Sequence, residues 1–259
     1  MKELRALLFD VDGTLADTER DGHRVAFNHA FDEAGLDWNW SVGVYGELLT
    51  VTGGKERIRY FIQNYQPSVP SQNDLDGFIA SLHQRKTHFY THALKQGAIP
   101  LRPGVLRLLQ EAREAGLALG IATTTTPENV TALLEAGIGP EAVEWFGVIA
   151  AGDVVPAKKP APDIYTYAMN KLGLPPEACV AFEDSGHGVR SAADAGIGTV
   201  VVTVNGYTRE QDFSGATLVV DSFGEPDTPC ELLSGRMDGS RYVDLSLVHG
   251  LHDAAREGA

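Results

Sequence analysis

Cysteine is scarce in this sequence, since only Cys179 and Cys230 occur among 259 residues. Two cysteines without a CxxC spacing are too few for the disulfide framework of a small secreted protein, and they give no sign of a structural zinc site. We therefore expect a protein of the reducing cytoplasm. The chain is also longer than a typical single domain, so we expect two domains or one large one.

Long apolar runs and an excess of positive charge are both lacking. No stretch approaches the roughly 18 apolar residues of a membrane span, and the run Ala6–Phe9 meets Asp10 too soon for a signal peptide. The 21 Lys and Arg residues are outnumbered by 35 Asp and Glu, which gives a formal net charge of −14. Because this charge repels nucleic acids and anionic membranes, we expect neither as a partner and predict small molecules instead. We also expect a monomer.

Short apolar runs alternate with amphipathic stretches beyond residue 100, a pattern typical of strand–helix units that build a parallel sheet. Together with a run near the N-terminus, the predicted buried strands are residues 4–9, 117–122, 148–150, 180–182 and 199–204. The predicted fold class is therefore α/β, with a three-layer, Rossmann-like parallel-sheet core. A further helix is predicted over residues 242–256, in a C-terminal tail whose role the sequence leaves open.

Residues 17–96 differ from the rest of the chain. Apolar residues recur there at helical spacing, as at 25–31 and 58–62, and no strand pattern intervenes. We expect an all-helical cap domain at 17–96, inserted into a catalytic core of residues 1–16 and 97–259. Residues 19–100 contain eight Lys and Arg against nine Asp and Glu, so this segment is nearly neutral and repels an anionic substrate less than the core does.

Polar residues follow four of the predicted strands. They are the stretch Asp10-Val11-Asp12-Gly13-Thr14, the run of threonines at 123–126, Lys159, and the pair Glu183-Asp184. Ligands of parallel α/β sheets bind at the carboxyl ends of the strands, so these side chains should meet at one site. Several carboxylates in one cleft repel one another, and a hard divalent cation such as Mg²⁺ offsets that repulsion while keeping coordination positions for substrate phosphate. The pattern predicts phosphoryl chemistry with Mg²⁺.

These motifs, in this order, resemble those of haloacid dehalogenase (HAD) superfamily phosphatases with a helical cap inserted after the first motif. The four motifs are residues 10–14, Thr123, Lys159 and Glu183-Asp184. The resemblance extends from residue 4 to about residue 221. It implies a Rossmann-like core and a phosphoric monoester hydrolase.

Each residue type suits a step of phosphate-ester hydrolysis. Asp10 would attack phosphorus and form an aspartyl-phosphate, and Asp12 would protonate the leaving alcohol and then take a proton from water. Thr123 and Lys159 would hold the phosphate oxygens. Further phosphate or substrate contacts are predicted for Gly13, Thr14, Thr124 and Thr125. The predicted Mg²⁺ ligands are Asp10, the Asp12 carbonyl and Asp184, with Glu183 as a ligand or as the holder of a ligating water.

Each motif also has an ordinary structural explanation. The first could be an Asx-turn at a strand end, and Thr123 could satisfy backbone groups. Lys158 rather than Lys159 could enter the site, and Glu183-Asp184 could begin a helix, where acids are favoured. The occurrence of all four motifs in sequence favours the functional interpretation.

The cap is expected to choose the substrate, because it closes over the bound molecule and excludes water. The candidate residues are Glu19, His23, Gly54, Lys55 and Arg57. Paired glycines followed by two cations would form an anion nest for a second phosphate. The structural alternatives are an ordinary helix start with solvated cations, a packed histidine and a solvated glutamate.

Five segments look similar to the CbbY-type proteins of this superfamily: residues 18–24, 53–57, 123–129, 158–165 and 212–216. That resemblance implies a phosphatase of carbon-fixing bacteria and plastids that removes xylulose 1,5-bisphosphate, a Rubisco inhibitor. The alternatives are a β-phosphoglucomutase, a general sugar monophosphate phosphatase, and a non-enzymatic phosphoacceptor or sugar-phosphate-binding protein. In the β-phosphoglucomutase pattern the corresponding histidine, at the start of the cap, comes one residue earlier than His23. This departure from the mutase pattern favours hydrolysis.

Overall fold

The structure is a computed structural model that describes residues 3–70 and 74–257. Its strands are β1 (Ala6–Phe9), β2 (Ala118–Ala122), β3 (Phe146–Ala150), β4 (Cys179–Glu183), β5 (Val200–Thr203), β6 (Leu218–Val220) and β7 (Leu232–Ser234). They form one sheet in the order β3-β2-β1-β4-β5-β6-β7. Neighbouring strands are parallel except β6 and β7, which are antiparallel. The five predicted strands are confirmed.

Nine α-helices are described: α1 (Arg24–Glu33), α2 (Val42–Leu48), α3 (Gly54–Tyr65), α4 (Leu75–Lys95), α5 (Val105–Glu114), α6 (Pro127–Gly137), α7 (Asp163–Leu172), α8 (Gly186–Asp194) and α9 (Leu245–Glu257). A π-helical turn at Glu19–His23 precedes α1, and short 3₁₀ segments occur at Pro140–Trp145 and Pro176–Ala178. None of the described helices is long and apolar enough to cross a membrane.

The sheet is covered on both faces. Alternate residues of β1 belong to different apolar clusters, because side chains alternate across a strand. Leu7 and Phe9 pack with residues of α5, α6 and α9, whereas Ala6 and Leu8 pack with residues of α7 and α8. The predicted three-layer architecture is thereby confirmed.

The segment between β1 and α5 is helical, and no strand occurs among its described residues. Its aromatic side chains form a cluster of their own, in which Phe27, Phe31 and Trp40 are fully buried. Tyr90 and Leu94, near the end of α4, pack instead with the core. The boundaries of the cap at residues 17 and 96 stay a prediction.

Two chain segments join the cap to the core side by side. Ala16, on the outgoing segment, forms an antiparallel bridge with Leu101 on the returning one. The next residue, Arg102, donates from its guanidinium to the main-chain carbonyls of Gly13, Val204 and Asp221. The returning segment is thus fixed to the core beside the first motif.

The last two strands were not predicted. β6 has only three residues, which is short for a recognisable apolar run, and all three residues of β7 are exposed. The predicted C-terminal helix is present and begins at Leu245.

Candidate active site

A cavity of about 680 Å³ lies at the carboxyl ends of the strands, between the core and the cap. Its lining includes Asp10, Asp12, Thr123, Thr124, Lys159 and Asp184 from the core, and Glu19 and Arg57 from the cap. Most of the chemistry-bearing residues that the sequence singles out therefore share one cavity.

Three carboxylates meet at the base of this cavity. Phe9 of β1 is in register with Phe182 of β4, so Asp10 and Glu183 lie at adjacent strand ends. Asp10, Glu183 and Asp184 are buried, and each offers an oxygen within 4.8 Å of the others. A compact set of carboxylate oxygens is the donor set that Mg²⁺ prefers, so the residues present fit this ion.

Burial raises the pKa of Asp10 to about 7, a rise that Lys159 opposes and that Glu183 and Asp12 reinforce. The pKa of Asp184 is held well above its usual range by burial and by the charges of Asp10 and Glu183. Both shifts express the cost of placing several acids in one buried cluster. A divalent cation is the natural counter-charge for the ionised form.

Lys159 bridges two members of this cluster. Its Nζ donates to Asp10 Oδ1 at 2.7 Å and to Glu183 Oε1 at 2.6 Å. Burial opposes the charge of Lys159, but the two carboxylates outweigh burial and raise its pKa above the usual value. Tyr165 also donates to Glu183 Oε1, at 2.6 Å. Lys158 lies outside the main cavity, where it pairs with Asp153 at 3.0 Å.

Asp12 is held by the cap. Its Oδ1 accepts from Thr18 Oγ1 at 2.6 Å and contacts His23 Nε2 at 2.7 Å. His23 Nδ1 lies 2.7 Å from Lys86 Nζ. Since an ammonium group only donates, Nδ1 accepts and Nε2 carries the hydrogen toward Asp12. Burial raises the pKa of Asp12, but the His23 and Thr18 contacts outweigh it and hold that pKa below its ordinary range.

His23 comes one residue later in the chain than the histidine of the β-phosphoglucomutase pattern, and the local backbone accommodates this difference. Residues Glu19–His23 form a π-helical turn, in which His23 N donates to Thr18 O at 2.7 Å. A π-turn accommodates an extra residue within a helical run. His23 therefore still reaches Asp12, and Glu19 lines the cavity.

Glu19 belongs to a polar group in the cap wall that we call the cap triad, Glu19, Tyr45 and Arg57. Tyr45 donates its hydroxyl hydrogen to Glu19, and Arg57 Nη1 donates to Tyr45 Oη at 2.8 Å. Arg57 is buried, yet its Nε has no hydrogen-bond partner among the described residues. Tyr45 carries no motif that marks it in the sequence, and sequence reasoning did not identify it.

Two predicted cap residues lie elsewhere. Gly54 and Lys55 line a second cavity of about 350 Å³ and not the main one. Lys55 is engaged by Asp153 of the core, and this hydrogen bond raises the pKa of Lys55. Of the two cations that the sequence offers for a second phosphate, the structure brings only Arg57 to the main cavity.

Three predicted phosphate contacts are not among the residues that line the main cavity. Thr125 is buried, and its Oγ1 accepts from Asn129 at 2.8 Å. Thr14 is fully buried, and its hydroxyl has no partner among the described residues. Gly13 has φ +90°, and a Cβ there would lie 2.1 Å from Asp184 Oδ2. Only glycine lets the first motif approach this carboxylate so closely.

The model of the haloacid dehalogenase-like hydrolases matches residues 4–196. The chain is 43% identical over 251 residues to the CbbY protein of Cupriavidus necator, covering 96% of this chain and 97% of that one. It is 52% identical over 214 residues to CbbY of Rhodobacter capsulatus, covering 83% and 91% of the two chains.

A crystal structure of CbbY from Rhodobacter sphaeroides in complex with phosphate has 47% identity and a TM-score of 0.80, covering 86% of this chain and 96% of that one. A second crystal structure of the same protein, an Asp-to-Asn mutant, is a complex with xylulose 1,5-bisphosphate. A β-phosphoglucomutase from Clostridium difficile matches with a TM-score of 0.74 at 18% identity, which shows the shared fold alone. This chain therefore belongs to the haloacid dehalogenase-like hydrolases, within which it is a CbbY-type phosphatase.

Proposed function

We propose that this protein hydrolyses xylulose 1,5-bisphosphate with Mg²⁺ through an aspartyl-phosphate intermediate. The observation that carries the proposal is the position of buried Asp10 at the base of a cavity whose cap wall presents a buried cation, Arg57. A doubly anionic sugar could then meet complementary groups at both ends. The bisphosphate complex of the Rhodobacter sphaeroides protein supports this choice of substrate.

The residues that would hold Mg²⁺ are Asp10, Asp184 and the Asp12 carbonyl, with Glu183 as a further ligand or water holder. The ion would supply positive charge that offsets the repulsion between a carboxylate nucleophile and the phosphate oxygens. Thr123 and Lys159 line the same cavity and would donate to those oxygens, where negative charge concentrates in the transition state.

Asp10 attacks phosphorus, and the bond from phosphorus to the sugar oxygen breaks. The lowered pKa keeps Asp12 ionised in the substrate-free protein, so Asp12 takes up a proton when the phosphate dianion binds beside it, and then gives that proton to the leaving oxygen. It then takes a proton from the water that attacks the aspartyl-phosphate, so that phosphate leaves and Asp10 is regenerated. The Thr18 and His23 contacts both use Asp12 Oδ1, which leaves Oδ2 for the proton transfers.

The cap triad would recognise the distal half of the substrate. The guanidinium of Arg57 belongs to a residue that lines the cavity, and its charge favours a phosphate group. Glu19 lies on the same wall and would accept hydrogen bonds from sugar hydroxyls. A cytoplasmic, monomeric enzyme remains an expectation from the sequence.

The test is phosphate release from sugar mono- and bisphosphates with Mg²⁺, run beside Asp10→Asn. We expect the highest kcat/KM for xylulose 1,5-bisphosphate and no release by the Asn variant. Equal kcat/KM for xylulose 5-phosphate would contradict the bisphosphate assignment. Residual release by Asp10→Asn above a few per cent would contradict the nucleophile. Accumulation of glucose 6-phosphate from β-glucose 1-phosphate and a bisphosphate primer would identify a mutase instead.

A further inference from the structure

Asn205 caps a tight turn directly beyond β5. Its Oδ1 accepts from the backbone N–H of Tyr207 at 2.9 Å, and its own N–H donates to Thr208 Oγ1 at 3.0 Å. These are the bonds of an Asx-type turn, and they satisfy the local backbone without the side-chain Nδ2 group. The amide donor of this asparagine is therefore free for another purpose.

That donor reaches the cluster of buried carboxylates formed by Asp10, Glu183 and Asp184. Asn205 Nδ2 donates to Asp184 Oδ2 at 2.7 Å, and both residues are buried. Among the described residues, no other hydrogen-bond donor to the Asp184 side chain is found. The pair lies against the first motif, because a Cβ at Gly13 would be 2.1 Å from Asp184 Oδ2 and 2.7 Å from Asn205 Nδ2.

We propose that Asn205 is a positioning residue for the metal-binding carboxylate of Asp184. By occupying Oδ2, it leaves Oδ1 as the oxygen that Asp184 offers to Mg²⁺, and it fixes the rotation of the carboxylate. This inference rests on the proposed function, in which Asp184 is a ligand. Groups that orient a metal ligand in this way typically contribute roughly 10- to 100-fold to metal affinity or activity.

A role confined to the turn can be separated from a role toward the ion. Asn205→Ser keeps a short oxygen acceptor for the turn but has no Nδ2 donor. Thr208→Val is the matched control, because it removes a hydrogen bond of the same turn and leaves the Asn205–Asp184 pair intact. Loss of the turn alone should lower the Tm of both variants without changing their affinity for Mg²⁺.

The measurement is calorimetric titration of substrate-free protein with Mg²⁺. We expect Asn205→Ser to raise the Kd for Mg²⁺ by roughly 10-fold or more, and Thr208→Val to leave it within about twofold of wild type. Equal Kd values for wild type and Asn205→Ser would overturn the inference while leaving the proposed function standing. A wild-type protein that does not bind Mg²⁺ would remove both.

A second measurement needs no variant. With ¹⁵N-labelled asparagine, the side-chain amide resonance of Asn205 should shift when Mg²⁺ is added. The amide of Asn64, which bonds Tyr60 O on an exposed part of the cap, serves as the internal reference and should not move. An Asn205 amide that is unmoved at saturating Mg²⁺ would contradict a contact with a ligating carboxylate.

Discussion

Lys86 is a buried ammonium group whose environment sets a testable pH dependence of stability. It lies within 5.2 Å of the Phe27 ring and 5.0 Å of the Tyr90 ring, and its Nζ meets His23 Nδ1. The other charged groups that act on it are Asp12, Glu19 and Arg57. Burial and the charge of Lys86 lower the pKa of the nearby His83. Burial, opposed by the two carboxylates, lowers the pKa of Lys86 from the ordinary 10.5 to about 8.

The sign and size of the effect follow from this pKa. The folded value lies below the unfolded one, so below about pH 8 the folded state carries the cost of a buried charge. Between the two pKa values only the unfolded chain keeps the proton, and the free energy of unfolding therefore rises with pH. From about pH 7.5 to about pH 9.5 the gain is about 2 kcal/mol, at about 1.4 kcal/mol for each pKa unit.

The assay compares urea denaturation of wild type and Lys86→Met at these two pH values. We expect the stability of wild type relative to the Met variant to increase by about 2 kcal/mol at the higher pH, because other titrations cancel in the difference. Lys95→Met is the matched control, since Lys95 is exposed on the same helix. A difference between wild type and Lys86→Met that does not change with pH would refute the assignment of a depressed pKa.

Four further results are expected. Gly188→Ala places a Cβ 1.8 Å from Oε2 of the buried Glu183, so it should lower the free energy of unfolding by about 1–3 kcal/mol. Gly250→Ala, in open space in α9, should not lower the free energy of unfolding. Arg57→Gln should raise KM for a bisphosphate more than for a monophosphate, and equal effects on both substrates would exclude a second-phosphate contact. Lys55 lies outside the main cavity, and Lys55→Ala tests whether this cation contributes to bisphosphate binding. Thr18→Val should lower kcat by roughly 10-fold through misplacement of the general acid, as measured by steady-state phosphate release; unchanged kcat would contradict the role of this hydroxyl. EDTA should abolish phosphate release and Mg²⁺ should restore it; activity in EDTA would exclude a metal requirement.

The part of the site that the core contributes was predictable from the sequence. Parallel strands end at the same edge of a sheet, so the sequence alone predicts that Asp10, Thr123, Lys159 and Asp184 lie together. The strand pattern and the motif order carried that inference. It was sufficient because each of these residues lies within ten positions of a buried strand end.

The cap was less predictable, because its contacts depend on how helices pack. Lys55 and Arg57 are two residues apart in the sequence, yet Arg57 faces the main cavity and Lys55 pairs with Asp153. Tyr45 and Asn205 have no motif, and their roles appear only where the chain places them beside Glu19 and Asp184. Residues that act through another side chain leave little trace in a single sequence.

Arg102 holds the segment that returns from the cap in a fixed position against the core. It stands on the segment that returns from the cap, yet its guanidinium grips carbonyls of three core segments, at Gly13, Val204 and Asp221. A planar guanidinium with five N–H donors can hydrogen-bond to three main-chain segments at once. A movement of the cap relative to the core would therefore bend the chain on the cap side of Arg102, and the spacing of the core groups around the reacting phosphorus would be preserved.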